Sequence, residues 1–112
     1  MFIQKRNGSI VEFDKNKIIN AINKAFIDID GALYETDTAK DIANDIEKDL
    51  SKYDRAIPVE EIQDRVEDYL MSAERKDVAK AYIRYRYLHG IARNDYKELM
   101  NMVSEKLNAN NV

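Results

Sequence analysis

Cationic side chains are concentrated near the start of the chain, in the stretch QKRNGSIVEFDKNKI, residues 4–18. The stretch contains four cations, Lys5, Arg6, Lys15 and Lys17, in a chain whose net charge is -3. Asp14 has the character of a helix N-cap, so Lys15 and Lys17 would lie in the first helical turn, where backbone N–H groups already create a partial positive charge. A bound anion would reverse that repulsion and would accept hydrogen bonds from the N–H groups and the cations. This pattern therefore indicates an anion-binding corner.

The residues alone leave an alternative open for this corner. It could be a solvated surface on which Glu12 and Asp14 partly neutralise the lysines. In favour of a ligand, the apolar neighbours Phe13, Ile18 and Ile57 could form a slot beside the cations, as a nucleobase would need.

Several other kinds of chemistry are excluded. The chain has no cysteine, hence no disulfide and no thiolate zinc site, and its one histidine, His89, cannot form a metal cluster. It contains neither GxxxxGK[ST] nor GxGxxG, the usual glycine-rich phosphate motifs. No catalytic constellation is recognisable, so we expect no enzymatic activity from this chain.

Charge and hydropathy limit the partners. The acidic balance, with a pI of about 5.2, argues against a general nucleic-acid binder. The sequence contains no run of about 18 apolar residues that could span a membrane, and its N-terminus lacks the apolar core of a signal peptide. We therefore expect no membrane association and a cytoplasmic location.

The segments FIQKR and SIVEF flank Asn7-Gly8, which predicts a β-hairpin with a two-residue type I′ turn. This register pairs Lys5 with Ile10. Alternation then gives two mixed faces, one with Ile3, Lys5, Ile10 and Glu12 and the other with Phe2, Gln4, Arg6, Ser9, Val11 and Phe13. A lone hairpin is marginally stable, so it must cover another layer.

Apolar residues at helical spacing predict four amphipathic helices around one core, three of them over about residues 15–29, 37–53 and 77–93. The remaining helix, third in chain order, is opened by Pro58 and by Glu60-Glu61 in its first turn. Asp14 and Thr36 are the predicted N-caps, and Gly31 is the predicted stop of the first helix. The predicted stripes are Ile18, Ile22, Ala25, Phe26 and Ile29; Ala39, Ile42, Ala43, Ile46, Leu50 and Tyr53; Val59, Ile62, Val66, Tyr69, Leu70 and Ala73; and Val78, Ala81, Tyr82, Tyr85 and Leu88.

Two smaller elements complete the predicted fold. Ala56-Ile57 could add a short strand to the hairpin, and an extra C-terminal helix is predicted over about residues 96–108. We therefore expect an α+β fold, mostly α, in which a small sheet lies as a lid on the helices.

Several segments resemble the ATP-cone, a nucleotide-binding regulatory module of many ribonucleotide reductases and of a bacterial repressor of their genes. The resemblance lies in Lys5-Arg6-Asn7-Gly8-Ser9, Glu12-Phe13-Asp14, Lys17-Ile18, residues 57–64 (IPVEEIQD) and residues 81–86 (AYIRYR). Residues 96–112 resemble the segment that follows the cone in anaerobic (class III) ribonucleoside-triphosphate reductases. We therefore expect a cone over residues 1–94, and a C-terminal helix and linker over residues 95–112 that lead to a missing catalytic domain.

The resemblance implies a four-helix bundle under a three-stranded mixed sheet, with ATP or dATP bound beneath that lid. It assigns Lys5, Arg6 and Lys17 to the phosphates, Phe13, Asp14 and Ile18 to the nucleoside, Val59 and Gln63 to the adenine side, and Arg84 or Arg86 to a further phosphate contact. Val59 and Gln63 stand where other members have Thr and His. Mg²⁺ with the nucleotide and a homo-oligomer formed through the cone are left open.

By this resemblance the chain is an allosteric domain without catalysis of its own, which controls overall activity of an anaerobic ribonucleotide reductase and hence deoxyribonucleotide synthesis. One alternative is the effector-binding domain of a nucleotide-responsive transcriptional repressor, although such relatives carry a four-cysteine zinc ribbon before the cone. The other alternative is a helical interaction module whose cationic corner binds an acidic protein.

Overall fold

The computed structural model describes residues 1–31 and 36–88. Its first elements are the strands β1 (Phe2–Gln4) and β2 (Ile10–Glu12), the helices α1 (Lys15–Asp30) and α2 (Thr36–Leu50), the strand β3 (Ile57–Pro58) and the helix α3 (Val59–Ser72). A further helix, α4, is described over residues 76–88. The predicted α+β, mostly helical fold is confirmed, whereas the predicted helix over about residues 96–108 lies outside the described residues.

The three strands form one mixed sheet in the order β2-β1-β3. The central strand β1 is antiparallel to β2 and parallel to β3. A parallel neighbour requires a crossover connection, which α1 and α2 provide here. The predicted third strand is confirmed, one residue later than expected.

The hairpin turn differs from the predicted type I′ turn. The paired residues are Phe2 with Glu12, Ile3 with Val11 and Gln4 with Ile10, so the predicted pairing of Lys5 with Ile10 was wrong. Lys5 N–H donates to the Ser9 carbonyl at 2.8 Å, and Gly8 N–H donates to the Lys5 carbonyl at 2.9 Å.

The conformations of two turn residues explain this longer loop. Gly8 has a φ of 88°, whereas Asn7 does not share the positive φ that a type I′ turn requires, since Glu74 alone has one among the described non-glycine residues. The Asn7 carboxamide instead accepts hydrogen bonds from Ser9 N–H at 3.0 Å and from the Ser9 hydroxyl at 2.6 Å. Asn7 therefore stabilises the wider turn through its side chain rather than through a left-handed backbone.

The corrected register gives the sheet an apolar inner face. A shift of one residue moves every side chain of a strand to the opposite face. Ile3 and Val11 are directly paired and both pack with the core, whereas Ile10 is 53% exposed. The predicted assignment of Ile3 and Val11 to opposite faces was therefore wrong.

The buried core confirms most of the predicted helical stripes. Its members come from the sheet, α1, α2, α3 and the start of α4: Ile3, Ile18, Ile22, Ala25, Phe26, Ala39, Ile42, Ala43, Ile46, Leu50, Ile57, Ile62, Val66, Leu70, Val78, Ala79, Ala81 and Tyr82. Burying each large aliphatic side chain contributes about 1.5–3 kcal/mol.

A few residues predicted for these stripes are exposed instead, namely Ile29, Tyr53, Ala73, Tyr85 and Leu88. Ile29 lies in the last turn of α1, just before that helix ends at Gly31, as predicted. Tyr53 lies beyond the end of α2 at Leu50, where the Arg55 guanidinium stacks 4.9 Å from the centroid of its ring. The prediction from the sequence had extended the apolar stripes of the helices beyond the residues that contact a neighbouring element.

A polar contact links α2 to α3. The Tyr69 hydroxyl donates a hydrogen bond to the Asp49 carboxylate at 2.5 Å, and an Arg65 guanidinium nitrogen lies 3.7 Å from the same carboxylate oxygen. The hydrogen bond to Asp49, assisted by burial, raises the pKa of Tyr69 to about 12. The phenol therefore holds its proton more tightly in the folded protein than in the unfolded chain.

The observed hairpin register can be tested by truncating neighbouring residues. We expect Val11→Ala to lower the free energy of unfolding by about 1 kcal/mol, because Val11 packs against the core. Ile10→Ala removes more atoms but should change it by less than about 0.5 kcal/mol, because Ile10 is exposed. Urea unfolding followed by circular dichroism measures both values, and the reverse order would support the register predicted from the turn sequence.

The contact between Tyr69 and Asp49 predicts a dependence of stability on alkaline pH. Because the folded pKa of about 12 exceeds the ordinary value of 10.0, this stabilisation is complete below pH 10 and is lost as the pH rises to 12. We expect Tyr69→Phe to cost about 1–2 kcal/mol at pH 7 and to flatten this part of the pH profile. Urea titrations across that range, with the exposed Tyr87→Phe as control, test this, and an unchanged profile for Tyr69→Phe would contradict it.

Candidate functional site

A pocket lies between the inner face of the sheet and the helices. It has a volume of about 190 Å³ and is lined by Ile3, Lys5, Val11, Glu12, Phe13, Asp14, Lys17, Ile18, Ala21, Val59, Ile62, Gln63 and Tyr82. The hairpin and the segment after it form one wall of the pocket. The N-terminal parts of α1 and α3 form two further walls, and α4 contributes Tyr82. Most residues predicted for the nucleotide site therefore converge on one cavity.

The inside of this pocket is mainly apolar. Ile3, Ile18, Ile62 and Tyr82 are buried, and Phe13 is half-buried against the core. Pockets that enclose whole drug-sized ligands measure about 300–1,000 Å³, so a cavity of about 190 Å³ would enclose only part of a nucleotide. The remainder of such a ligand would lie at the mouth.

The start of α1 lies beside the pocket and is capped as predicted. Asp14 has extended backbone angles, φ -122° and ψ 102°, and its carboxylate accepts the N–H of Asn16 at 3.0 Å. The first turn itself contains no acidic residue, so the carboxylate of the capping Asp14 is what offsets the positive end of the helix dipole there.

Helical geometry separates the two lysines of this first turn. Residues two apart point to nearly opposite sides of a helix with 3.6 residues per turn. Lys17 lines the pocket, whereas the Lys15 ammonium lies 3.8 Å from the Glu47 carboxylate of α2. Lys15 therefore joins two helices, as one half of an ion pair, and is not among the residues that line the pocket.

Lys5 and Lys17 line the pocket and have no counter-ion in the described part of the chain. Within residues 1–31 and 36–88, neither has a carboxylate within ion-pair distance. Lys5 reaches the pocket because it continues the inward-facing alternation of Ile3. Two unpaired cations at one cavity form a site that an anion would stabilise.

Arg6 is placed differently from Lys5. Its Nε lies 3.1 Å from Glu60 Oε1, and its Nη2 donates to Gln63 Oε1 at 3.3 Å. Arg6 is absent from the lining of the pocket, but its partner Gln63 contributes to that lining. The predicted corner of four cations is thus partly neutralised within the protein, through Arg6 and Lys15, and partly open, through Lys5 and Lys17.

The other residues proposed for the site divide by position. Val59 and Gln63 line the pocket at the start of α3, whereas Ile57, expected beside the apolar slot, is fully buried in the core. Arg84 and Arg86 follow Tyr82 on α4 and belong to a second compact unit that begins at Ile83. Arg84 is exposed and Arg86 is half-buried, and their contact with phosphate stays a prediction.

Sequence reasoning missed part of the lining. The missed residues are Ile3, Val11, Glu12, Ala21, Ile62 and Tyr82. The incorrect register had placed Val11 on the face opposite Ile3 and Lys5, and Tyr82 was assigned to the core alone. A register that put Ile3 opposite Val11 would have revealed an apolar face with Lys5 at its end.

Two features do not occur within residues 1–31 and 36–88. None of the helices there has the length and apolar character required to cross a bilayer. No group of three or more His, Cys, Asp or Glu side chains in the same residues is arranged to hold a metal ion.

Comparison with known proteins places the chain in a family. A model of the ATP cone domain matches residues 1–91. The anaerobic ribonucleoside-triphosphate reductase of Haemophilus influenzae is 34% identical over 110 residues, which cover 96% of this chain and 15% of that enzyme. The vitamin B12-dependent ribonucleoside-diphosphate reductase of Thermoplasma acidophilum is 39% identical over 116 residues, which cover 98% of this chain and 15% of the enzyme.

A third relative belongs to a different functional class. The transcriptional repressor NrdR of Heliobacterium modesticaldum is 30% identical over 86 residues, 76% of this chain and 52% of the repressor.

The match to the family model includes the hairpin, α1 and the start of α3, the elements that line the pocket. The chain belongs to the ATP-cone family.

Proposed function

We propose that this domain binds ATP or dATP as an allosteric effector and thereby controls the overall activity of an anaerobic ribonucleotide reductase. The observation that carries the proposal is that Lys5 and Lys17 lie at an apolar pocket and have no ion-pair partner within residues 1–31 and 36–88. An apolar cavity suits a purine, and the cations suit a triphosphate. Membership of the ATP-cone family supports the same ligand class.

In the proposed complex the purine lies among Phe13, Ile18, Val59 and Gln63, and Asp14 lies beside the ribose. The triphosphate extends towards Lys5 and Lys17, with Arg6 within reach at the rim. Any Mg²⁺ would be bound chiefly by the phosphate oxygens, its usual partners in nucleotide complexes.

The proposed regulation is a linkage between nucleotide binding and the arrangement of the domain. The pocket is built from the sheet, α1, α3 and Tyr82, so a ligand that contacts all of them favours one relative placement. A nucleotide with different affinities for two arrangements shifts their populations, and a coupling of about 1–3 kcal/mol is typical.

The remaining features of the proposal concern the whole protein. We propose that the regulated partner is the catalytic domain of a cytoplasmic reductase and that this chain carries no catalytic residues itself. Contacts between cones in a homo-oligomer are a further way in which the two arrangements could differ. The chain spans about 15% of the length of the two reductases compared above.

A repressor's effector domain is the second candidate. The similarity to NrdR favours it, because the match covers 76% of this chain and 52% of that repressor. Both candidates use the same nucleotide site and differ in what the nucleotide controls. A helical interaction module that binds an acidic protein would instead leave the pocket without a nucleotide.

The proposed site predicts different effects for three lysines. We expect Lys17→Gln and Lys5→Gln each to weaken ATP binding about tenfold, since loss of one charged phosphate contact is worth about 1.4 kcal/mol or more. Lys15→Gln is the matched control, because Lys15 lies in the same helical turn but pairs with Glu47. Titration calorimetry with ATP, dATP and GTP in the presence of Mg²⁺ measures the affinities, and circular dichroism checks the fold.

Three outcomes would contradict the proposal or the role that it gives to a lysine. An absence of heat with every purine triphosphate would favour the interaction module. An equal loss of affinity in Lys15→Gln and Lys17→Gln would show that binding depends on general charge rather than on the pocket. Loss of the helical signal in Lys5→Gln or Lys17→Gln would indicate that the lysine is structural.

A further inference from the structure

Arg6 connects the hairpin turn to the first turn of α3. Its guanidinium contacts two side chains of that helix, Glu60 at 3.1 Å and Gln63 at 3.3 Å. Residues three apart lie on the same face of a helix, so Glu60 and Gln63 together present oxygen atoms to one cation. The turn is thus attached to α3 by a charge-assisted contact and a longer neutral hydrogen bond.

This contact is adjacent to the pocket. Gln63 lines the cavity, and so does Lys5, the residue before Arg6. The Arg6 guanidinium is therefore one hydrogen bond away from a lining side chain, at the side of the pocket where Lys5 lies. A triphosphate held by Lys5 would be within the region that Arg6 could reach by a change of rotamer.

Arg6 can exchange its partner Glu60 for another anion. The side chains of Arg6 and Glu60 are 34% and 47% exposed, and exposed pairs of this kind are weak because water screens them. A phosphate carries more charge than a carboxylate and offers the guanidinium a bidentate acceptor. At the same time, the Glu60 carboxylate repels any anion that approaches Arg6.

We propose that Glu60 is an internal competitor for the guanidinium of Arg6 and sets the affinity of the phosphate site. This inference rests on the proposed nucleotide site. In the ligand-free domain Glu60 occupies Arg6 and holds it at the rim. Binding of a triphosphate transfers Arg6 from Glu60 to a phosphate, releases the Glu60 carboxylate and detaches the hairpin turn from the first turn of α3.

The neighbouring residue provides a matched control. Glu61 has the same charge and lies in the same first turn of α3, but it pairs with Arg55 at 3.2 Å and with Arg65 at 3.8 Å. Replacing Glu60 or Glu61 by glutamine removes the same charge from the same helix end. The loss of favourable interaction with the helix dipole is therefore closely similar in the two variants.

The test measures the binding of ATP and of inorganic tripolyphosphate by titration calorimetry. We expect Glu60→Gln to bind both ligands about twofold to fivefold more tightly than the unmodified domain, the range that corresponds to an exposed ion pair. Tripolyphosphate should show the same gain as ATP, because the competition involves the phosphates and not the base. Glu61→Gln should change neither affinity by more than about 1.5-fold, because Glu61 does not contact Arg6.

A double-mutant cycle assigns the effect to Arg6. In an Arg6→Gln background, Glu60→Gln should give no more gain than Glu61→Gln, because the guanidinium under competition is absent. Helical circular dichroism confirms the fold of each variant. Glu60→Asp provides a second route, since the shorter side chain keeps the charge but withdraws it from Arg6, and it should also tighten binding.

The opposite results overturn the inference. Competition between Glu60 and phosphate would be excluded by equal affinities for Glu60→Gln and Glu61→Gln, or by weaker binding to Glu60→Gln. It would also be excluded by a gain in affinity that persists without Arg6. If the unmodified domain binds ATP and one of these results is obtained, this inference fails and the proposed function stands. If it binds neither ATP nor tripolyphosphate, both fail.

Discussion

The pairing of Ile3 with two neighbours is the constraint on which the rest of this structure depends. Ile3 lies in the central strand, opposite Val11 in the antiparallel partner and Ile57 in the parallel partner. This arrangement turns one face of the sheet towards the helices and buries Ile3 and Ile57 there. The same alternation directs Lys5 into the pocket. A single register therefore determines both the packing of the lid and the charge beneath it.

The four cations near the start of the chain fall into two groups, those paired within the protein and those that a ligand would pair. Lys15 pairs with Glu47 and Arg6 pairs with Glu60, whereas Lys5 and Lys17 have no ion-pair partner among the described residues. Leaving two like charges at one cavity is unfavourable without a ligand and favourable with an anion. The domain thus combines a stable apolar core with a local site whose charges are matched only in the bound state that we propose.

Prediction from the sequence was most successful where local chemistry determines conformation. Asp14 caps α1 and Gly31 ends it, because an aspartate side chain can accept a backbone N–H and glycine readily adopts a positive φ. The periodic apolar residues located the helices. The hairpin turn was predicted incorrectly because Asn7-Gly8 is compatible with more than one loop length, and the choice between them depends on which strand face meets the core. Ile29 and Tyr53 were assigned to the core because periodicity does not show where a neighbouring element ends.

The sequence by itself determined the helices, the two caps of α1, the presence of a cationic segment and, by resemblance, the family. These features depend on interactions between residues close in the chain, or on motifs that can be read directly. Only the tertiary structure decided the strand register, the burial of Ile57, and which of Lys5, Arg6, Lys15 and Lys17 have partners. Those outcomes depend on contacts between residues far apart in sequence, such as Arg6 with Glu60 and Lys15 with Glu47. Their geometry is set by packing of the whole domain, because a side chain's partner is whichever group the fold brings within a few ångströms.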